Sequence, residues 1–170
     1  GLSPEELADL ASVGAVRHYK AGEKIIAAGT AATSIFFLRS GAVHVTLPDG
    51  VRLATLTAGM PFGEMALLEP NRSADVLADI SATAVEVSLR DFERFRKQHP
   101  RAGERIMRNL ANTAADRIVV ATDGAELDSV LAQYADAARD STFATHLLYR
   151  LRSSSTDTTA AASWLERILE

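Results

Sequence analysis

The chain has 170 residues, 47% of them hydrophobic and 24% charged, the mixture of a folded globular protein, which argues against wholesale disorder. Eighteen Lys and Arg against 22 Asp and Glu leave a net charge of −4, which argues against a surface coated in basic charge for nucleic acid. There is no cysteine, so disulfides, thiolate catalysis and cysteine-ligated zinc are excluded. No apolar run approaches the roughly 20 residues that span a bilayer, and no signal peptide is visible, so a cytoplasmic location is expected. The first residue is Gly1 and not Met, which leads us to expect a fragment whose native start lies upstream.

Gly1-Leu2-Ser3-Pro4-Glu5-Glu6 predicts a helix start. Ser3 can cap, Pro4 suits the first helical position, and the acids favour the positive end of the helix dipole. The helix should end near Val13-Gly14. Between Val16 and Leu89 short apolar runs alternate with turn signals at Gly22, Gly29, Gly41, Pro48-Asp49-Gly50, Gly59 and Pro70-Asn71. Strands are predicted over Ser34–Arg39, Ala42–Leu47, Arg52–Leu56, Ala74–Leu77 and Thr83–Leu89. Many short strands in succession predict a sandwich or barrel, and strands followed by helices predict an α+β arrangement.

Helical periodicity resumes at Arg90. A short helix is predicted over Asp91–His99, and Pro100 suits the start of the next. There Ile106, Leu110, Ala114 and Ile118 recur every four residues, which predicts a long amphipathic helix closing at Thr122-Asp123-Gly124. Its apolar stripe fits core packing or a homodimer seam equally well. Ala125–Ala138 and Thr142–Leu151 also read as helices, Ser153–Thr159 as a polar linker and Trp164–Leu169 as a short final helix. We divide the chain into a domain over 1–122 and a helical extension over 123–170.

One stretch carries chemistry: Phe62-Gly63-Glu64-Met65-Ala66-Leu67-Leu68, then Arg72-Ser73-Ala74. Gly63 permits close backbone approach and positive φ. Glu64–Leu68 can form one helical turn whose first amides have no partner, a cradle for an anion. Arg72 offers a planar fork that matches phosphate, and Ser73 and the amide of Ala74 add donors. Glu64 is an acceptor suited to the hydroxyls of a sugar. Anion cradle, guanidinium and hydroxyl acceptor together suit a phosphorylated sugar.

This stretch resembles the phosphate-binding cassette of the cyclic nucleotide-binding domain family, in its bacterial, catabolite-activator-like form. The family pattern, Phe-Gly-Glu-x-Ala-Leu followed by Arg-(Ser/Thr/Ala)-Ala, is matched by Phe62–Leu67 and Arg72–Ala74. Ala21-Gly22-Glu23-Lys24-Ile25-Ile26, Gly29 and Phe36–Val43 resemble its upstream strands and glycines, and the helices at Asp91 and after Pro100 its B and C helices. The interval from Glu64 to Arg72 is slightly shorter than in many members. The resemblance implies an eight-stranded, jelly-roll-like β-roll, or double-stranded β-helix, flanked by helices. It implies that Glu64 binds the ribose 2′-hydroxyl and that Arg72 pairs with the cyclic phosphate, helped by the amides of Met65, Ala66 and Ala74. It implies apolar contacts from Leu53 and Leu56, and polar candidates in Arg117 and Thr122 near the end of the long helix, which lids the base.

The implied ligand is cyclic AMP or cyclic GMP, with no other cofactor. A hydroxyl at Ser73 often accompanies guanine in the family, yet also occurs in cyclic AMP receptors. Ile118–Ala121 offers few donors or acceptors for guanine, so cyclic AMP is preferred. The implied role is a sensor that moves its C-terminal helices and controls an attached effector domain, as in cyclic nucleotide domains joined to transporters and metabolic enzymes, whose helices Arg108-Asn109-Leu110-Ala111 resembles. The alternative is a transcription regulator of the catabolite activator type. Residues 123–170 hold four Arg and no Lys, and their spacing does not resemble a helix-turn-helix, so we expect no nucleic acid on this chain. No Gly-x-Ser-x-Gly, Walker loop or metal-ligand set occurs, so we expect no enzyme. The cupins, a related roll, bind metal through His-x-His, but His44 is followed by Val45 and Thr46. Phe36, Phe37 and Phe62 are expected as core aromatics, and a surface ion pair between Glu64 and Arg72 is the plain alternative to a binding site.

Overall fold

The computed structural model describes residues 4–121 and 124–154. Helix α1 (Pro4–Val13) leads into eight strands: β1 (Ala15–Tyr19), β2 (Lys24–Ile26), β3 (Ser34–Ser40), β4 (Ala42–Thr46), β5 (Arg52–Thr57), β6 (Pro61–Phe62), β7 (Asp75–Ala78) and β8 (Ala82–Ser88). A single 3-10 turn, Glu64–Leu67, lies between β6 and β7. Helices α2 (Leu89–Gln98), α3 (Pro100–Ala121), α4 (Gly124–Ala135) and α5 (Thr142–Ser154) follow. The proposed Ser3 cap, Thr122, Asp123 and the expected helix at Trp164 lie outside the described residues.

The strands form two four-stranded sheets, in the orders β1-β8-β3-β6 and β2-β7-β4-β5. All pairings are antiparallel. This is the expected eight-stranded roll. Its interior follows from the two-residue period of strands. On β3, Phe36 and Leu38 point into the roll, and on β4 Val43 and Val45 do the same. On β8 the inward positions are the small residues Ala82 and Ala84. β5 carries a bulge: Val45 pairs with Ala54 but Thr46 with Arg52, so Leu53 is the extra residue. The bulge lets Leu53 as well as Ala54 and Leu56 pack against the interior.

The outer face of the β1-β8-β3-β6 sheet is apolar too. Ile35, Phe37, Val85 and Val87 are fully buried there, and α1 and α2 pack on β8. Gly14 lets the chain enter β1 close to β8, since a Cβ there would stand 2.7 Å from both Val85 Cγ1 and the Glu86 carbonyl. The α2 helix begins two residues earlier than Asp91 because Ser88 caps it: the Asp91 amide donates to Ser88 Oγ at 3.0 Å. Phe92 and Phe95 are its buried face, each contributing roughly 1.5–3 kcal/mol of transfer free energy.

The chain divides into two compact units between Leu110 and Ala111, inside α3. In the second unit α4 packs on α5. Phe143, Ala144, Leu147, Leu148 and Leu151 form the buried stripe of α5 at helical spacing. The 3-10 turn Ala137–Arg139 joins them, and its Ala138 carbonyl accepts from Thr145 Oγ1 at 2.8 Å. Arg150 reaches Asp116 of α3 at 3.1 Å. Along α3 itself, Ile106, Met107, Leu110, Ala111, Ala114 and Ala115 are buried within the single chain. That burial favours core packing for the stripe. No helix among the described residues is long and apolar enough to cross a membrane.

Candidate functional site

The site is built around one aromatic pair. β6 is only two residues long, and Phe62 pairs there with Phe36 of β3. Their rings stack at 4.9 Å and 6°. Both are buried, as expected of core aromatics. This stack fixes where the chain leaves β6, and Gly63 follows at once with φ 72° and ψ 17°. A residue with a Cβ resists that conformation. The left-handed step turns the chain into the 3-10 turn, so the expected helical turn forms but is tighter than an α-helix. The Ala66 amide donates to the Gly63 carbonyl at a long 3.2 Å. The Ala66 amide, expected to help hold the phosphate, is thus already used within the turn, and the Met65 amide lies in its first residues. Glu64 is 3% exposed, so its carboxylate is held inside the cassette.

Arg72 is fixed from both ends. Its amide donates to the Thr30 carbonyl at 2.8 Å, and its carbonyl accepts from the Gly29 amide at 2.8 Å. Its guanidinium, in a residue 9% exposed, lies over the Phe36 ring with Cζ 5.8 Å from the centroid. Nη1 donates to the Gly63 carbonyl at 3.0 Å. Nη2 donates to the Ser34 carbonyl at 2.8 Å and to Ser34 Oγ at 3.2 Å. Burial draws the Arg72 guanidinium below its ordinary value, and the carboxylates of Glu86 and Glu64 oppose that shift. A guanidinium remains charged in such surroundings. The result is a desolvated cation beside the Gly63 turn, with an acid alongside. A surface ion pair does not describe it: Glu64 and Arg72 are both buried, and the Arg72 bonds run to Gly63 and Ser34.

Immediately beyond, Asp75 ties the end of the cassette to the loop after β2. Its carboxylate accepts from Lys24 Nζ at 2.6 Å and from the Ala28 amide at 2.7 Å. The Lys24 bond, then the Ala28 bond, hold this carboxyl below the usual carboxylate value.

The structure thus brings Gly63, Glu64, Met65, Ala66 and Arg72 to one place. Ser73 is exposed beside Arg72, and Ala74 packs partly against the roll interior. Leu56 is buried in that interior and Leu53 partly so. Arg117 is half-buried near the end of α3, in the second unit. Thr122 lies outside the described residues. Sequence reasoning missed Thr30, Ser34 and Glu86, and the platform that Phe36 makes under the guanidinium. A signal existed for two of them: Ser34 and Glu86 occupy inward registers of β3 and β8, where an apolar residue is the default. Three of the four histidines have local roles. His18 bonds Thr83, His44 pairs with Asp79, and His99 stacks on Phe95.

A family model for the cyclic nucleotide-binding domain matches residues 16–99, which span all eight strands after the first residue of β1, the cassette and α2. Residues 16–99 are a cyclic nucleotide-binding domain. The domain recurs in larger proteins. Glutaminase 1 of Bradyrhizobium diazoefficiens is 69% identical over 121 residues, which are 71% of this chain and 20% of that protein. Glutaminase 2 of the same organism is 48% identical over 126 residues, 74% of this chain and 20% of that protein. The chain therefore spans about one fifth of the length of the curated relatives it matches. Among solved structures, the catabolite activator protein of Thermus thermophilus is similar with a TM-score of 0.59 and 29% identity, over 82% of this chain and 64% of that one. The cyclic nucleotide-binding domain here is thus of the regulatory type and has the catabolite-activator roll.

Proposed function

We propose that this chain is the sensing module of a larger cytosolic enzyme, that it binds cyclic AMP in preference to cyclic GMP, and that ligand binding acts through its C-terminal helices on an attached catalytic domain. The observation that carries the reading is the placement of Arg72: a buried guanidinium fixed behind the Gly63 turn, with the Glu64 carboxylate beside it. A cyclic phosphate fits that arrangement, because a phosphate oxygen can take the guanidinium donors that Gly63 and Ser34 do not use. The ribose hydroxyl then meets Glu64. Isothermal titration with cyclic AMP and cyclic GMP tests this directly. Heat with cyclic AMP and weaker heat with cyclic GMP are expected, and silence with both at millimolar ligand overturns it.

The attached domain is inferred from the two glutaminases, in each of which the matching segment is one fifth of the protein. We read the effector as an amide hydrolase of that kind, with the catalytic groups outside this chain. A ligand changes a conformational equilibrium only by its differential affinity for the two states, so the expected signature is a change in the activity of the full-length protein when cyclic nucleotide is added. The catabolite activator likeness supports a second reading, a transcription regulator. It is separated from the first by gel shift with the full-length protein, where the enzyme reading expects no ligand-dependent DNA binding.

A further inference from the structure

The inward face of β8 reads Ala82, Ala84, Glu86. The two alanines are 3% and 0% exposed among the interior residues, and Glu86 occupies the next position of the same register, opposite Phe36 on β3 and Ala15 on β1. A carboxylate in that row is costly unless its oxygens are paired. Both are. Oε1 accepts from Ser34 Oγ at 3.1 Å, and Oε2 accepts from Arg17 Nε at 3.0 Å. The Ser34 side of Glu86 lies inside the roll, while the Arg17 side opens towards solvent: the Glu86 side chain is 30% exposed and Arg17 56%.

Ser34 is the link to the cassette. A hydroxyl has one proton to give and two lone pairs. Its Oγ is within bonding distance of both Glu86 and Arg72, and Arg72 is a donor only. The proton must therefore go to Glu86, which leaves a lone pair for Arg72 Nη2. The Ser34 carbonyl holds the same nitrogen. With Nη1 on the Gly63 carbonyl, three of the five N–H donors of the guanidinium are taken by Gly63 and Ser34, and two are left over for a ligand.

We propose that Ser34 and Glu86 are positioning residues for Arg72, with Glu86 orienting the Ser34 hydroxyl so that Ser34 holds the guanidinium ready for a phosphate. The inference rests on the cyclic nucleotide reading above. It predicts coupling: the contribution of Ser34 passes through Arg72, and that of Glu86 passes through Ser34.

The test is calorimetric titration of cyclic AMP into the full chain and its variants, each first shown by thermal melting to be folded. Ser34→Ala is expected to weaken binding about tenfold, and Ser34→Thr, which keeps the hydroxyl, to restore it to within about threefold. Glu86→Ala merely extends the alanine row of β8. It should weaken binding about threefold to tenfold, and Ser34→Ala with Glu86→Ala together should be no worse than Ser34→Ala alone. In an Arg72→Ala background, Ser34→Ala should change affinity by less than about twofold. A purely structural role would instead lower affinity equally in both backgrounds and would not be rescued by threonine. That result, or parental affinity in both Ser34→Ala and Glu86→Ala, overturns the proposal. An unsubstituted chain that binds neither cyclic nucleotide overturns the functional reading itself, and the proposal with it, which is a different outcome from a binding chain that is indifferent to Ser34 and Glu86.

Discussion

The Cβ that Gly63 lacks would stand 2.8 Å from Arg72 Nη1, the same nitrogen that donates to the Gly63 carbonyl at 3.0 Å. The glycine and the arginine are therefore one device. The left-handed backbone at Gly63 aims its carbonyl at the guanidinium, and the missing side chain makes room for it.

Gly63→Ala should for this reason cost both stability and binding. Holding alanine at φ 72° costs roughly 1–2 kcal/mol, and the added methyl displaces the guanidinium from its carbonyl partner. Denaturant melts should show that loss, and titration should show cyclic nucleotide binding about tenfold weaker. Unchanged affinity in a destabilised variant would mean that the arginine need not be placed by this turn.

Arg72→Ala should be the most damaging single change to ligand affinity. A charge-assisted phosphate contact contributes roughly 1.5–3 kcal/mol, hence about tenfold to a hundredfold in affinity. Arg72→Lys should recover only part of that, because an ammonium keeps the charge but cannot bond Gly63 and Ser34 together as the fork does. Affinities of both variants, measured by calorimetry, check the order.

Glu64→Ala should cost less than Arg72→Ala and should act selectively. Glu64 accepts from the ribose hydroxyl in the reading above, so its loss should narrow the preference for a ribose over a 2′-deoxyribose cyclic nucleotide. Competition between the two ligands on the parent and the variant measures this. An undiminished preference would assign the hydroxyl to another group.

Asp75 gives a pH prediction of definite sign. Its carboxyl is held below its usual value by Lys24 and the Ala28 amide. A carboxyl depressed in the folded state stabilises the fold above its unfolded value, near pH 4, and that contribution is lost as pH falls through the folded value. Asp75→Asn should therefore be less stable than the parent at neutral pH, and the difference should close below about pH 4. Thermal melts across that range test it, and a gap constant with pH would argue against the Lys24–Asp75 pair.

Helix α3 should report ligand binding. If the C-terminal helices carry the signal, Ile106–Ala121 should gain amide protection when cyclic nucleotide is added, while the strands of the roll change little. Hydrogen exchange with and without ligand measures this. Equal protection in both states would mean that the signal leaves through another surface.

Most of the domain could be read from the chain itself because its signals are local. The apolar run of Ser34–Ser40, the period-two alternation of Ala42–Thr46, the spacing of Phe92 and Phe95, and the proline and glycine breaks depend on neighbours a few residues away. So does the cassette: Gly63, Glu64 and Arg72 sit close in sequence, and residue types alone suggest an anion and a sugar. Element ends moved by a residue or two where a side chain decided them, as Ser88 does for α2.

What the tertiary structure decided is the inner side of the site. Ser34 lies 38 residues before Arg72, and Glu86 lies 52 residues beyond Ser34. Only the pairing of β3 with β8, and of β3 with β6, brings them together, and strand register is set by the whole sheet rather than by any short segment. The sequence by itself determined that this chain carries a roll with a turn, an arginine and an acid suited to a cyclic phosphate. The fold decided that the arginine is buried over Phe36 and held by Ser34, whose hydroxyl in turn bonds Glu86, because a buried charge needs partners and here distant strands supply them.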